Sequence, residues 1–416
     1  MTTPNPFFES ARRSLRWFRE SPIMAGGGTW GVGERLVLTE DNDALEKIRA
    51  RFPVFLPYAP GLEVLEQRRS DCNFQAALLF WLAGKILPSQ EDQKTARDLL
   101  DFLYFRSGLL NKTDERSVIG GWTWTHIQRN FNLWMDDNAW CSVIPFLLAK
   151  GEPELDERYN LRKWAGLLAS DLRRMFNRAF DPAKEKDMED PEKTYAGKLE
   201  HPHWAAPVQC ALALYLERLD PASGEYAAVE DAILRYLHFL DRRLANYNAS
   251  ELCYLMLLAG VMMFVPLMEA RGRDLARKTY AELERRIVGN PYGILPAEHD
   301  EAPIGPEKAD LIYTVNFCVT GLALAALHDT NYLEPARKMA LFLAEIQDDG
   351  SERPELKGCW RGMYDCKTRS WGGGNRYEGG AGSIYSGWTN APIAIAQLLV
   401  GWRTEHPDAP SNGFLS

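Results

Sequence analysis

The helices this chain predicts alternate in kind, and that alternation limits its fold more than any other feature of the sequence. Apolar residues recur at helical spacing over residues 7–20, 73–87, 91–106, 138–150, 157–180, 204–219, 225–246, 251–268, 274–288, 310–328, 333–347 and 383–402. Strand-like alternation is scarce. The first, third and later odd segments are amphipathic and charged, as over residues 156–164 or 272–280. The even ones are apolar nearly all round, as over residues 252–264. A helix without a polar face must be buried on every side. The pattern therefore predicts an all-α toroid, an inner ring of six helices wrapped by an outer ring of six. It takes the whole chain, residues 1–416, as a single domain.

The connections repeat the distinction. Those from an even to the next odd segment are short, whereas those from odd to even are long: residues 21–72, 107–137, 181–203, 289–309 and 348–382, with only 247–250 brief. In a ring of hairpins all the long loops fall on one end, above the N-termini of the inner helices, and long loops on a rigid scaffold are where sites are built. Nine of the 13 tryptophans (Trp30, Trp122, Trp124, Trp134, Trp140, Trp204, Trp360, Trp371 and Trp388) lie in those loops or the first turns after them. His126, His201, His203 and His299 join them. Sugar rings stack their C–H faces on aromatic rings and present hydroxyls to polar partners, so this mixture predicts a carbohydrate ligand. The bland alternative is that the tryptophans only fill gaps between helix ends.

Charge and composition exclude other classes. With 48 basic and 57 acidic residues the net charge is −9, the wrong sign for a protein that neutralises phosphates, so neither nucleic acid nor an anionic membrane is an expected partner. No apolar run approaches the roughly 18 residues of a membrane span, since Pro266 interrupts the nearest. The N-terminus lacks the basic and apolar regions of a secretory signal. Seven cysteines without close metal-ligand spacing suit reduced thiols in a cytoplasm. Five of them, Cys72, Cys141, Cys210, Cys253 and Cys318, start successive inner helices, where a small apolar side chain packs well. No cofactor and no metal is expected.

Asp136 and Asp137 stand at the start of an inner helix, just after a tryptophan-rich loop. Acidic side chains there satisfy free backbone N–H groups, so capping alone would explain them. They could equally supply the two carboxyls of glycoside hydrolysis. If only one is catalytic, its partner comes from Asp71, Glu298, Asp300, Glu301, Asp365 or Glu378. Glu378 lies in a glycine-rich stretch that leads through Tyr385 to Trp388 and has no strand before it, against a dinucleotide fingerprint. The pair His201 and His203 precedes the third inner helix; a metal site there would need a third ligand, and a lyase or epimerase would use His with Tyr for proton transfer. Tyr313 and Asn316, one turn apart on the fifth inner helix, could face the cavity.

Six hairpins with apolar even members resemble the (α/α)6 toroid of the six-hairpin glycosidase superfamily. The run Trp134-Met135-Asp136-Asp137-Asn138-Ala139-Trp140 is similar to the Asp-Asp motif of family 76 α-1,6-mannan hydrolases. That resemblance implies a nucleophile and an acid/base at Asp136 and Asp137. The expected ligand contacts are Asp71, Trp122, Trp124, Trp140, His203, Trp204, His299, Tyr313, Asn316, Trp360, Glu378, Tyr385 and Trp388. The same architecture hosts polysaccharide lyases and sugar 2-epimerases, and a toroid that binds carbohydrate without catalysis is a third possibility.

Overall fold

All 15 residues of the helix Ala249–Met263 are buried, as a helix with no polar face requires. The computed structural model describes residues 5–40, 44–52, 54–113, 118–127, 133–298, 304–374 and 378–413. Its helices, in chain order, are α1 (Pro6–Glu20), α2 (Leu45–Arg51), α3 (Ser70–Ile86), α4 (Gln90–Asp101), α5 (Met135–Gly151), α6 (Pro153–Tyr159) and α7 (Leu161–Ala179). There follow α8 (Pro202–Leu216), α9 (Gly224–Asp241), α10 (Ala249–Met263), α11 (Glu269–Gly289), α12 (Val315–His328), α13 (Leu333–Ile346) and α14 (Ala391–Glu405).

The ring closes. Helix α3 packs on α5, α5 on α8, α8 on α10, α10 on α12, α12 on α14, and α14 back on α3. Each inner helix carries an outer one: α4, α7, α9, α11 and α13 cover α3, α5, α8, α10 and α12, and the N-terminal α1 covers the C-terminal α14. Asn5 fastens that last pair. Its carboxamide oxygen caps α1 through the Phe7 N–H at 3.0 Å, while its Nδ2 donates to Gly401 O at 3.3 Å and to Glu405 at 3.0 Å. One continuous apolar core runs from Phe7 to Trp402. Among the described residues no helix is long and apolar enough to cross a membrane. All seven cysteines are free thiols, and six of them are buried.

Strands supply what helical periodicity does not show. An antiparallel sheet in the order β2 (Phe55–Ala59), β3 (Leu62–Leu65), β1 (Arg35–Leu38), β9 (Ser383–Tyr385) joins the first and last long connections, pairing Arg35 with Tyr385. The two-residue strands β4 (Leu133–Trp134) and β5 (Tyr195–Ala196) pair in parallel beside α5. Strands β6 (Lys308–Asp310), β7 (Met363–Asp365) and β8 (Ser370–Trp371) form a third sheet.

Local backbone chemistry shifts three predicted helices. The segment 157–180 is broken at Asn160, whose left-handed φ of 53° an Asn tolerates better than most side chains. The segment 310–328 becomes helical only at Val315, because Asp310 pairs in β6 and turns its carboxylate onto the Ile312 N–H at 2.9 Å. The segment 383–402 opens with β9 and a wide π turn, Ser386–Asn390, before α14 begins.

Candidate active site

The N-terminal ends of the inner helices surround a cavity of about 580 Å³. Helix α5 reaches its floor. The residue before that helix, Trp134, makes no side-chain cap, and both aspartates of the first turn are buried and line the cavity. Asp137 turns away from its own helix: its Oδ1 accepts from Arg69 Nη2 at 2.7 Å. Arg69 also forks onto Asp71, with Nε to Oδ1 at 3.0 Å and Nη2 to Oδ2 at 2.8 Å. Trp388 Nε1 donates to Asp71 Oδ2 at 2.6 Å. The guanidinium of Arg69 lies 5.2 Å from the Trp124 ring and 5.4 Å from that of Trp388, the range of a cation–π contact.

One guanidinium thus serves two carboxyls, and the two aspartates of α5 differ in how far burial raises them. Burial pushes Asp137 well above the usual carboxylate range; Arg69 opposes this, and the neighbouring charges of Asp71 and Asp136 add to it. Burial also raises Asp136, but the Asp137 backbone N–H, His203 and Arg69 pull against it, and it settles at about 6. Asp136 Oδ1 is buried with no hydrogen-bond partner, as are Nε1 of Trp124 and Nε1 of Trp134. Buried polar atoms are rarely left unpaired, so these three are exceptions to the protein's own hydrogen bonding.

Two walls complete the cavity. On one, Arg35 from β1 lies in full burial, 2.9 Å from Glu34 and 3.2 Å from the Glu378 carboxylate, and stacks 4.3 Å from the Tyr385 ring. Burial alone would raise Glu378, but Arg35, the Tyr385 hydroxyl that donates to it, and Arg51 hold it below its ordinary value. On the other, Trp134 and Trp204 stack at 5.5 Å with planes 16° apart. Beside them His203 Nδ1 lies 2.7 Å from Glu251 Oε1, while the His203 backbone N–H donates to Glu251 Oε2 at 2.7 Å. Burial opposes ionisation of Glu251, but His203 and His201 outweigh it and keep this carboxyl far below its ordinary range.

Of the residues expected from sequence, Asp136, Asp137, Trp124, His203, Trp204, Tyr313, Glu378, Tyr385 and Trp388 line this cavity. Asp71 sits behind it, fully buried on Arg69. Four of the expected residues are placed elsewhere by packing. Trp122 is wedged edge-on against Phe74 and Tyr104, 4.9 and 5.3 Å away, with 1% of its surface exposed. Trp360 is wholly buried and gives its Nε1 to Leu343 O at 2.7 Å. Trp140 stacks on Phe317 and faces a different, apolar cavity. Asn316 is buried beneath the floor, where its Nδ2 donates to Ile312 O at 2.9 Å and to Trp388 O. Two candidate carboxyls are engaged elsewhere: Glu298 accepts from the Ala249 N–H at 2.8 Å at the start of α10, and Asp365 pairs with Lys308. His299, Asp300 and Glu301 lie outside the described residues.

Sequence reasoning passed over Arg69, Glu34, Arg51, Phe52, Lys198, Tyr254 and Ile312 as cavity residues, and Glu251 as the partner of His203. The clue for Arg69 is its place two residues before Asp71 at an inner-helix start, where an arginine has no capping role to explain it.

No family model matches the chain, and no curated protein matches it in sequence. Solved structures do match in shape. A cellobiose 2-epimerase from Bacillus thermoamylovorans aligns with a TM-score of 0.59 at 10% identity, over 95% of this chain and 99% of the other. A family 76 α-mannanase of Bacteroides thetaiotaomicron aligns with a TM-score of 0.58 at 11% identity, over 97% of each chain. A second cellobiose 2-epimerase, from Spirochaeta thermophila, gives 0.58 at 11% identity over 96% and 98%. At such identities the likeness is one of fold, an (α/α)6 toroid.

Proposed function

We propose that this protein is a carbohydrate-active enzyme that hydrolyses a glycosidic bond, with Asp136 as nucleophile and Asp137 as acid/base. The supporting observation is a pair of adjacent buried carboxyls on the floor of an aromatic-walled cavity, one with a free oxygen and the other paired with Arg69. Burial raises both carboxyls, Asp136 to about 6 and Asp137 well above its ordinary value. A retaining hydrolase needs one of the pair ionised and the other protonated. Asp137 gives its proton to the leaving oxygen as Asp136 bonds to the anomeric carbon. A water that returns a proton to Asp137 then displaces the sugar and frees both carboxyls. The stacked Trp134 and Trp204 offer a flat face for a sugar ring, and the likeness to a family 76 α-mannanase supports this reading.

A second reading rests on the His203–Glu251 contact of 2.7 Å, which would hold an imidazole ready to move a proton at a sugar carbon, and on the likeness to cellobiose 2-epimerases. A panel of oligosaccharides assayed in D2O separates the two. Hydrolysis releases new reducing ends with no deuterium on carbon. Epimerisation leaves the chain length unchanged and places deuterium at C2.

Under the first reading, Asp136→Asn and Asp137→Asn each lower turnover by at least about 10²-fold while melting stays within a few degrees, since Asn replaces Asp as a helix-start acceptor but cannot attack or donate a carboxyl proton. If both variants turn over normally, the aspartates are structural and the hydrolase reading fails.

A further inference from the structure

The sequence leaves His201 and His203 in want of a third ligand, and the fold brings one to them. His201 precedes α8 and His203 lies in its first turn; Glu251 lies in the first turn of α10, the next inner helix round the ring. One donor atom from each of the three lies within 4.8 Å of the other two. Glu251 Oε1 is the shared vertex, 3.4 Å from His201 Nδ1 and 2.7 Å from His203 Nδ1. Metal bonds of about 2.0–2.2 Å in a tetrahedral or octahedral arrangement separate neighbouring ligand atoms by about 2.9–3.4 Å. Both distances to Glu251 are close to that size.

A second observation points the same way. Asp136, with 5% of its surface exposed, lines the same cavity as the two histidines, and its Oδ1 has no hydrogen-bond partner. An ion held by the two imidazoles would share that cavity with this carboxyl.

We propose that His201, His203 and Glu251 bind one divalent transition-metal ion, of which Zn²⁺ is the type, on the wall of the cavity beside Asp136. Two imidazole nitrogens and one carboxylate suit Zn²⁺ or Co²⁺ and disfavour Mg²⁺ and Ca²⁺, which take oxygen ligands. Three protein ligands leave a position open, as in zinc sites that act on a ligand and unlike closed structural ones. Here the opening gives onto the cavity that Trp134 and Trp204 also line, so water or a sugar hydroxyl would complete the coordination. The ion reaches beyond the proposed hydrolysis, which the two aspartates can perform without it, and its binding is measured without any substrate.

The full chain, stripped with a chelator, is titrated with Zn²⁺ alone in a calorimeter and separately loaded with Co²⁺. The expected result is one equivalent bound, with visible Co²⁺ absorption of a four- or five-coordinate nitrogen–oxygen site. His201→Ala and Glu251→Gln each weaken binding by at least about 100-fold and bleach the Co²⁺ bands; changing even the partners of a metal ligand costs about 10–100-fold. His201 keeps a third of its side chain exposed, so His201→Ala leaves the packing intact and a circular dichroism spectrum verifies it. Absence of a saturable equivalent in the wild type overturns the site, and so does a folded His201→Ala that binds Zn²⁺ as the wild type does.

Discussion

The same inner helices end in two unlike places. At their N-terminal ends they open on about 580 Å³ walled by carboxyls, arginines and tryptophans. At the opposite end they close on about 80 Å³ lined by side chains such as Leu78, Trp81, Ile144, Leu257, Phe264 and Leu399. Two physical causes separate them. The N-terminal ends carry free N–H groups and the positive end of each helix dipole, which favour Asp71, Asp136, Asp137 and Glu251 there. They also receive the long connections, which bring Arg35, Glu34 and Glu378 from far along the chain. The short connections at the other end bring little, so the helices must fill the ring with their own apolar side chains. A site can be charged where loops supply counterions, and must be apolar where they do not.

The largest test of this division is Arg69→Met, which removes a buried cation from between Asp71 and Asp137. Stripping one partner from a buried ionic cluster costs about 3–5 kcal/mol. Urea unfolding is expected to show that loss; under the proposed hydrolysis, an activity assay is expected to show loss of turnover as well, because Asp137 loses the group that orients it. An Arg69→Met protein of wild-type stability would mean that the open end contributes to function alone and that its ionic cluster is energetically idle.

Ile144→Ala at the closed end is expected to do the reverse. Ile144 is 1% exposed and lines the apolar cavity, so truncation enlarges an existing void and costs about 2–5 kcal/mol, with kcat and KM unchanged at temperatures where the variant stays folded. A change in KM would show that the two cavities communicate through α5.

The helices are legible in the sequence because inner and outer ones differ in a property that a linear pattern displays: α10 has no polar face, whereas α11 has one. The end of the ring that bears the cavity is legible from loop length. The residues that confer charge on it are less so. Arg35 and Tyr385 are opposite each other across β1 and β9, 350 positions apart in the chain, and strands of four and three residues carry almost no periodic signal. Glu251 reads as an ordinary first-turn acid until the ring sets α10 beside α8. Tryptophans mislead in the other direction. Trp122 and Trp360 share the loops of Trp124 and Trp388 yet are core residues, each tied to an asparagine at an inner-helix start: Asn138 bonds Trp122 N at 2.9 Å and Asn390 bonds Trp360 N at 2.8 Å. Composition finds the loop; only packing decides which ring faces the cavity.

The smallest effect tests the closed end by pH. His328, the last residue of α12, sets its ring edge-on to Phe264 at 4.4 Å, and its Nε2 is buried without a partner. Burial lowers its pKa to about 4; Glu269 opposes this, while Arg273, Arg403 and Lys150 add to it. In the unfolded chain the same group titrates near 6.5. A group whose folded pKa is depressed contributes its full stability above the unfolded value and loses it as pH falls toward the folded one. Between about 6.5 and 4 the unfolded chain therefore binds a proton that the native ring refuses, and unfolding becomes easier. Because the ring is only partly buried, solvent screening leaves on the order of 1 kcal/mol of this effect. In His328→Phe the group no longer titrates, so the difference in unfolding free energy between variant and wild type is expected to shift by that amount in favour of the variant from pH 7 to pH 4, as other carboxyls cancel in the comparison. A difference that stays flat across this range would mean that His328 is as well solvated in the native protein as in the unfolded chain.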